Sequence, residues 1–174
     1  PTLINSVYAD RFFYDLRADE LENQVDHVVV NHLEFATNFL DILEKLGASE
    51  EYKMLFTAAF PDIPEEKAIN KSTMSSAIGA YVASLSSFNS PFDQYMRGEN
   101  AEIDQDVVDG FNIFLGKAAC GTCHFPPTFN GLVPPLYHES ESEVLGVPAT
   151  KDTLNAQLDP DKGRSLGQIR EQSH

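Results

Sequence analysis

Two thiols and an imidazole fall together in Cys120-Gly121-Thr122-Cys123-His124. Cysteines three residues apart lie on one side of a single helical turn. From there both sulfurs can add across the two vinyl groups of one porphyrin, and the adjacent imidazole can become the axial ligand of its iron. The order Cys-x-x-Cys-His is the attachment signature of a c-type haem. A Cys-x-x-Cys pair can also be half of a zinc site, but zinc takes four ligands, and no second Cys-x-x-Cys or His-x-x-x-His is present. A thioredoxin-like redox pair would sit in a βαβ context, which the chain does not show. A structural disulfide would leave His124 without a purpose. Haem attachment through Cys120 and Cys123, with His124 as iron ligand, accounts for all three side chains.

The surrounding pattern shows how such a motif is positioned. A helix starting near Asp104 carries Val107, Val108, Phe111, Phe114 and Leu115 at helical spacing into the motif, and Pro126-Pro127 follows it. Beyond Phe125 prolines and glycines recur, which predicts loops with short helices. Upstream, residues 1–18 cluster Phe12, Phe13 and Tyr14 without a long period and read as a buried, irregular loop. From Glu20 the apolar residues Leu21, Val25, Val28, Val29 and Leu33 recur at steps of three and four. A second helix runs from about Asn38 to Leu46 and stops at Gly47. Ser49 caps a third, with Tyr52, Leu55 and Phe56, halted before Pro61. Asp62 and Glu65, with Pro64 between them, predict the start of a long fourth helix. Its stripe is Ala77, Ile78, Tyr81, Val82 and Leu85. The run Ser86-Ser87 and Asn89-Ser90-Pro91 marks a boundary near residue 90. The class is mostly α, in two domains, 1–89 and 90–174.

The bulk numbers are compatible with this. The 174 residues are 42% hydrophobic and 22% charged, enough for a sizeable core and unlike a disordered chain. A formal charge of −15 argues against nucleic acid and anionic membrane as partners and suits a basic protein partner. No run is long and apolar enough to span a bilayer. The chain opens on Pro1-Thr2-Leu3 and stops on Arg170-Glu171-Gln172-Ser173-His174. It reads as an internal piece of a longer protein, with a signal peptide expected upstream.

At this point the residues resemble a family. Phe12-Phe13-Tyr14-Asp15-Leu16-Arg17-Ala18 looks like the Phe-Trp-Asp-Gly-Arg-Ala run of bacterial di-haem cytochrome c peroxidases, and Pro1-Thr2-Leu3-Ile4-Asn5 like the segment before it. Ser90-Pro91-Phe92-Asp93-Gln94-Tyr95 resembles that family's Ser-Pro-Phe-Asp-Arg-Tyr. Residues 110–124 resemble the start of its second cytochrome c domain, and Asp161-Lys162-Gly163-Arg164 its Asp-x-Gly-Arg turn. The resemblance implies cytochrome c-like helical domains, the second incomplete here. It implies a periplasmic enzyme in which a first haem reduces hydrogen peroxide to water. A second haem takes electrons from a small carrier, a cytochrome c or a copper protein. Cys120, Cys123 and His124 match the second, electron-transfer haem. Gln24 and Glu34 match the glutamine and glutamate of the peroxide pocket. A distal carboxylate can take a proton from one peroxide oxygen and return it to the other, and a glutamine can hold the substrate without titrating.

The departures are specific. Tyr14 stands where the family has a tryptophan between the haems, and this chain has no tryptophan. Leu16 replaces a glycine. The first haem motif would lie upstream of Pro1 and the methionine ligand of the second haem beyond His174. Met54, Met74 and Met96 are assigned to packing, His27 and His32 are read as non-ligands, and His138 receives no role. The piece alone therefore carries at most one haem c and is not expected to be a competent peroxidase. Calcium, which the family often binds between domains, has no assignable ligand here, and a homodimer is compatible with the resemblance. Two other functions stay open: a cytochrome acting in electron transfer only, and a related di-haem oxidase of protein side chains.

Maturation in a periplasm should leave one haem on the chain that survives denaturing electrophoresis and stains there. Loss of that haem to acid acetone would contradict attachment through Cys120 and Cys123.

Overall fold

The computed structural model describes the fold of residues 2–99, 102–135, 143–152 and 154–171. His138 lies outside the described residues. Among them the structure is helical and contains no sheet, as the sequence predicts. Its β features are isolated bridges, among them Phe12 with Ala18 and Pro148 with Leu158. The chain divides into two compact units. One comprises Arg11–Phe13 and Arg17–Ser84, the other Pro1–Asp10, Tyr14–Leu16 and Leu85–His174.

The unit containing Arg17–Ser84 is built on four helices: α1 (Leu21–Val30), α2 (Phe39–Gly47), α3 (Glu50–Ala59) and α4 (Lys71–Ser84). Val25, Val29, Phe56, Ala68 and Met74 form its buried core, with Phe39, Ile42, Leu43, Leu46 and Phe60 packed around them. Helices α1 and α4 are also joined by polar contacts. The Ser75 hydroxyl donates to Asp26 (3.0 Å), and Lys71 pairs with the other oxygen of the same carboxylate (2.6 Å). Ser49 caps α3 as the sequence predicts, accepting from the Tyr52 N–H, and Asn38 caps α2 by accepting from that of Asp41.

Three expectations need correction. Helix α1 stops at Val30, and Leu33 lies beyond it, exposed. The Asn31 side chain accepts the Leu33 N–H (3.0 Å) while its carbonyl accepts those of Glu34 and Ala36. An asparagine that offers the backbone local partners of this kind competes with continued helix. Second, α4 begins at Lys71, not at Asp62. The Ile63 N–H closes a turn on Phe60, and Glu65–Lys67 form one 3₁₀ turn. The effective cap is Asn70, whose side chain accepts from the Thr73 N–H while the Thr73 hydroxyl oxygen accepts from that of Asn70 (both 3.1 Å). Third, the opening loop is irregular but largely exposed, with only Leu16 and Ala18 buried.

In the other unit, Asn5 ties the start of the chain to the segment after α4. Its N–H donates to Leu85 O (2.9 Å), and its side chain bonds both backbone groups of Ser87. Helix α5 (Pro91–Met96) starts at a reciprocal Ser90–Asp93 box with proline in its first turn. Helix α6 (Gln105–Leu115) is capped by Asp104 and leads to the cysteine motif. Phe111 is the hinge of an aromatic cluster, 5.0 Å from Phe92 and 6.5 Å from Phe129 between ring centroids, with Phe114 5.6 Å from Phe129. Among the described residues after the motif, Val147–Ala149 pairs with Gln157–Asp159, and α7 (Arg164–Glu171) follows.

The Ser90 hydroxyl and N–H both donate to one Asp93 oxygen (2.6 and 2.8 Å), and they hold that carboxyl below its ordinary value, the hydroxyl being the larger cause. A carboxyl lowered in the native state adds stability that is present above about pH 4 and is lost as pH falls through the native value. Ser90→Ala should cost about 1 kcal/mol at neutral pH and flatten the acid limb of the stability curve. Urea unfolding at neutral and acid pH checks both.

Candidate functional site

The cysteine motif is held in a tight turn. Ala119 adopts a left-handed conformation (φ 55°), and Cys120–Thr122 form a 3₁₀ turn. The N–H groups of Cys123 and His124 both donate to Cys120 O, at 3.3 and 3.0 Å, and the Thr122 hydroxyl donates to Ala119 O (2.7 Å). Gly121 sits close against the end of α6: a methyl there would lie 2.5 Å from Leu115 Cδ2, which would have to turn away. The turn is thereby pressed onto the end of α6. Both cysteines are unpaired thiols and both are exposed.

His124 is oriented from behind. Its Nδ1 lies 2.8 Å from the carbonyl oxygen of Phe129, and the Phe129 N–H donates to Phe125 O (2.8 Å). A carbonyl oxygen can only accept, so Nδ1 carries the proton and Nε2 keeps its lone pair for a metal. A backbone carbonyl on the far nitrogen is the usual way a ligating histidine is aimed and made more basic. Ile113 and Leu115, on the last turn of α6, are exposed apolar side chains leading into the motif. Two open thiols on one turn, an imidazole nitrogen with a free lone pair and apolar neighbours fit a haem c. Among the described residues no cluster of three or more His, Cys, Asp and Glu converges as a metal-ion site of another kind.

The second set of predicted residues lies in the other unit. Gln24 is on α1 and half-buried. Glu34 is exposed, in the turn beyond the helix, with Oε1 accepting from the Asn31 side-chain amide (2.9 Å). Six residues of helix, about 9 Å along the axis, separate Gln24 from Val30, and Glu34 lies beyond that end in the following turn. Along the same segment several apolar side chains are open to solvent: Val30 is 58%, Leu33 82% and Phe35 69% exposed. His27 packs edge-on to Phe13 (5.6 Å) and His32 is exposed. Met74 is in the core, whereas Met54 and Met96 are at the surface. Asn31 and the Phe129 carbonyl were not singled out by sequence. Asn31 carries a signal, since asparagine commonly closes turns through its own side chain. A main-chain carbonyl carries none.

Tyr14 is half-exposed and groups with the unit that holds the cysteine motif. Leu16, at the family's glycine position, takes the left-handed conformation a glycine would (φ 57°). A leucine there costs about 1–2 kcal/mol, and its side chain is buried.

A helical chain with a Cys-x-x-Cys-His turn of this geometry is of the c-type cytochrome class. The comparisons narrow it: the family model for di-haem cytochrome c peroxidases matches residues 1–101, and the chain belongs to that family. It is 32% identical to the cytochrome c551 peroxidase of Pseudomonas aeruginosa over 71% of this chain and 35% of that protein. It is equally 32% identical to the methylamine utilization protein MauG of Methylorubrum extorquens, over 71% of this chain and 34% of that one. The chain thus spans about a third of these relatives. A crystal structure of a MauG-like protein associated with microbial copper homeostasis superposes with a TM-score of 0.70. That match covers 94% of this chain and 51% of the other at 24% identity, a likeness of fold.

His124→Ala should leave haem on the two cysteines in part but abolish the low-spin spectrum of the haem-loaded protein. An unchanged spectrum would place another residue on the iron.

Proposed function

We infer that the chain is part of a periplasmic di-haem peroxidase that reduces hydrogen peroxide to water with electrons from a small redox carrier. The observation that carries this reading is the setting of Glu34. A carboxylate is held by an amide on a segment whose apolar residues Val30, Leu33 and Phe35 are exposed, in a chain that also carries a Cys-x-x-Cys-His turn. Exposed apolar clusters of this kind mark binding surfaces rather than ordinary solvated faces.

When bound, haem would supply the iron at which peroxide is held and the store of reducing equivalents. The chain's own residues manage protons and position. Glu34 takes the proton from the inner peroxide oxygen and returns it to the outer one, which leaves as water. Asn31 holds the carboxylate through one oxygen and leaves the other for substrate. The Gln24 amide can donate a hydrogen bond without changing charge. Two electrons and two protons convert one peroxide to two waters. Cys120, Cys123 and His124 would hold a haem able to accept electrons from the donor, and Tyr14 would contribute to the path between the haems. An overall charge of −15 favours encounter with a donor that presents a basic face, whether cytochrome or copper protein.

A second reading is an oxidase acting on protein side chains. It is favoured by the equal similarity to a MauG protein and by tyrosine at position 14. Peroxide turnover with a small redox protein as sole reductant separates the two.

In the protein carrying both haems, Glu34→Gln should lower peroxide turnover by about 10²–10⁴-fold, because an amide keeps the size but cannot relay the proton. Reduction of the haem at Cys120 and Cys123 by the donor should remain normal. Turnover within a few-fold of the parent would remove Glu34 from the active site.

A further inference from the structure

The turn at Asp161–Arg164 is knit tightly. Asp159 accepts the Asp161 N–H (2.8 Å), and Asp161 in turn accepts that of Gly163 (2.9 Å). The N–H and hydroxyl of Ser165 both donate to Lys162 O, at 3.1 and 2.8 Å. Gly163 is left-handed (φ 46°), and a methyl built on it would overlap Cε1 of Tyr14 and lie 2.5 Å from Cζ and 2.7 Å from Cδ1. One helical turn on, a methyl on Gly167 would lie 2.8 Å from Leu16 Cβ and 3.0 Å from the Asp15 carbonyl oxygen. Residues four apart share a helix face. The run Tyr14-Asp15-Leu16 therefore lies along a face cleared of side chains. Leu16 is 7% exposed there, while Tyr14 remains 51% exposed. Tyr14 also borders a cavity of about 210 Å³ that Val144, Leu145, Val147 and Leu158 help to line. One part of the ring is fixed against Gly163 and another faces open space.

We propose that Gly163 is a positioning residue for Tyr14: the missing side chain at 163 sets how deeply the ring lies against the start of α7. Carbon atoms in contact settle at about 3.5–4.0 Å, so any β-carbon at 163 drives the ring outward by about 1 Å. The functional consequence rests on the assignment of Tyr14 to the electron path given above.

Incorporation of 3-fluorotyrosine gives each of the six tyrosines a ¹⁹F resonance, and loss of one in Tyr14→Phe identifies that of Tyr14. Gly163→Ala and Gly163→Asn should both shift it while leaving those of Tyr52 and Tyr81 in place. Asparagine tolerates the left-handed region far better than alanine, so a common shift traces to overlap with the ring and not to backbone strain. An unmoved Tyr14 resonance in Gly163→Asn overturns the proposal. If Gly163→Ala fails to fold, the double change Tyr14→Ala with Gly163→Ala should fold, and failure of that rescue also overturns it. In the protein loaded with both haems, the same variants should slow electron transfer between the haems by roughly tenfold, with donor reduction of the haem at Cys120 and Cys123 unchanged. A shifted resonance with an unchanged inter-haem rate upholds the seat and instead removes Tyr14 from the electron path.

Discussion

The bond between His124 Nδ1 and the Phe129 carbonyl is the constraint on which the cysteine site depends. It decides which ring nitrogen is bare, and so whether the histidine can bind iron at all. The bond exists only because the loop from Phe125 doubles back on itself, with the Phe129 N–H returned to Phe125. The loop in turn is held by the Phe129 ring against Phe111 and Phe114 of α6. The same helix supplies the Leu115 side chain against which Gly121 closes. One amphipathic helix therefore sets both the thiols and the imidazole, from opposite ends of a short loop. The apolar spacing of α6 is a functional feature as much as a packing one.

The unit that carries Glu34 uses a different device. Its core fixes α1 through Val25 and Val29, and the polar contacts of Ser75 and Lys71 with Asp26 tie α1 to α4. That rigidity ends at Val30. Asn31 then turns the chain by satisfying backbone donors locally and, with the same side chain, holds the Glu34 carboxylate. One residue thus both ends the helix and orients the group that would move protons. Truncating Asn31 would free the carboxylate and unravel the turn together, so changes at that position mix the two effects.

Local chemistry was the legible part of the sequence. Ser49 caps where a short polar side chain before an apolar period should, and the cysteine turn stands out because three reactive residues stand together. Reading failed where local signals competed. Asp62, Pro64 and Glu65 look like a helix start, yet Asn70 with Thr73 gives a reciprocal cap next to the buried Ala68, and that one prevails. Leu33 keeps the helical period of α1, but Asn31 interrupts it two residues earlier. Long-range contacts left no local trace. The fit of Tyr14 on Gly163 joins residues about 150 positions apart, and the left-handed leucine at 16 is tolerated because its side chain is buried against Gly167. The family resemblance placed Asp161–Arg164 and the Tyr14 run in one order along the chain but did not show that they touch.

The most direct test of this account is the protonation of the His124 ring in the haem-loaded protein, read by NMR with ¹⁵N-labelled histidine. The account predicts a slowly exchanging proton on Nδ1, shared with the Phe129 carbonyl, and an Nε2 resonance displaced by the iron. A proton found on Nε2, with Nδ1 bare, would contradict it: the loop would then be holding the imidazole away from the metal.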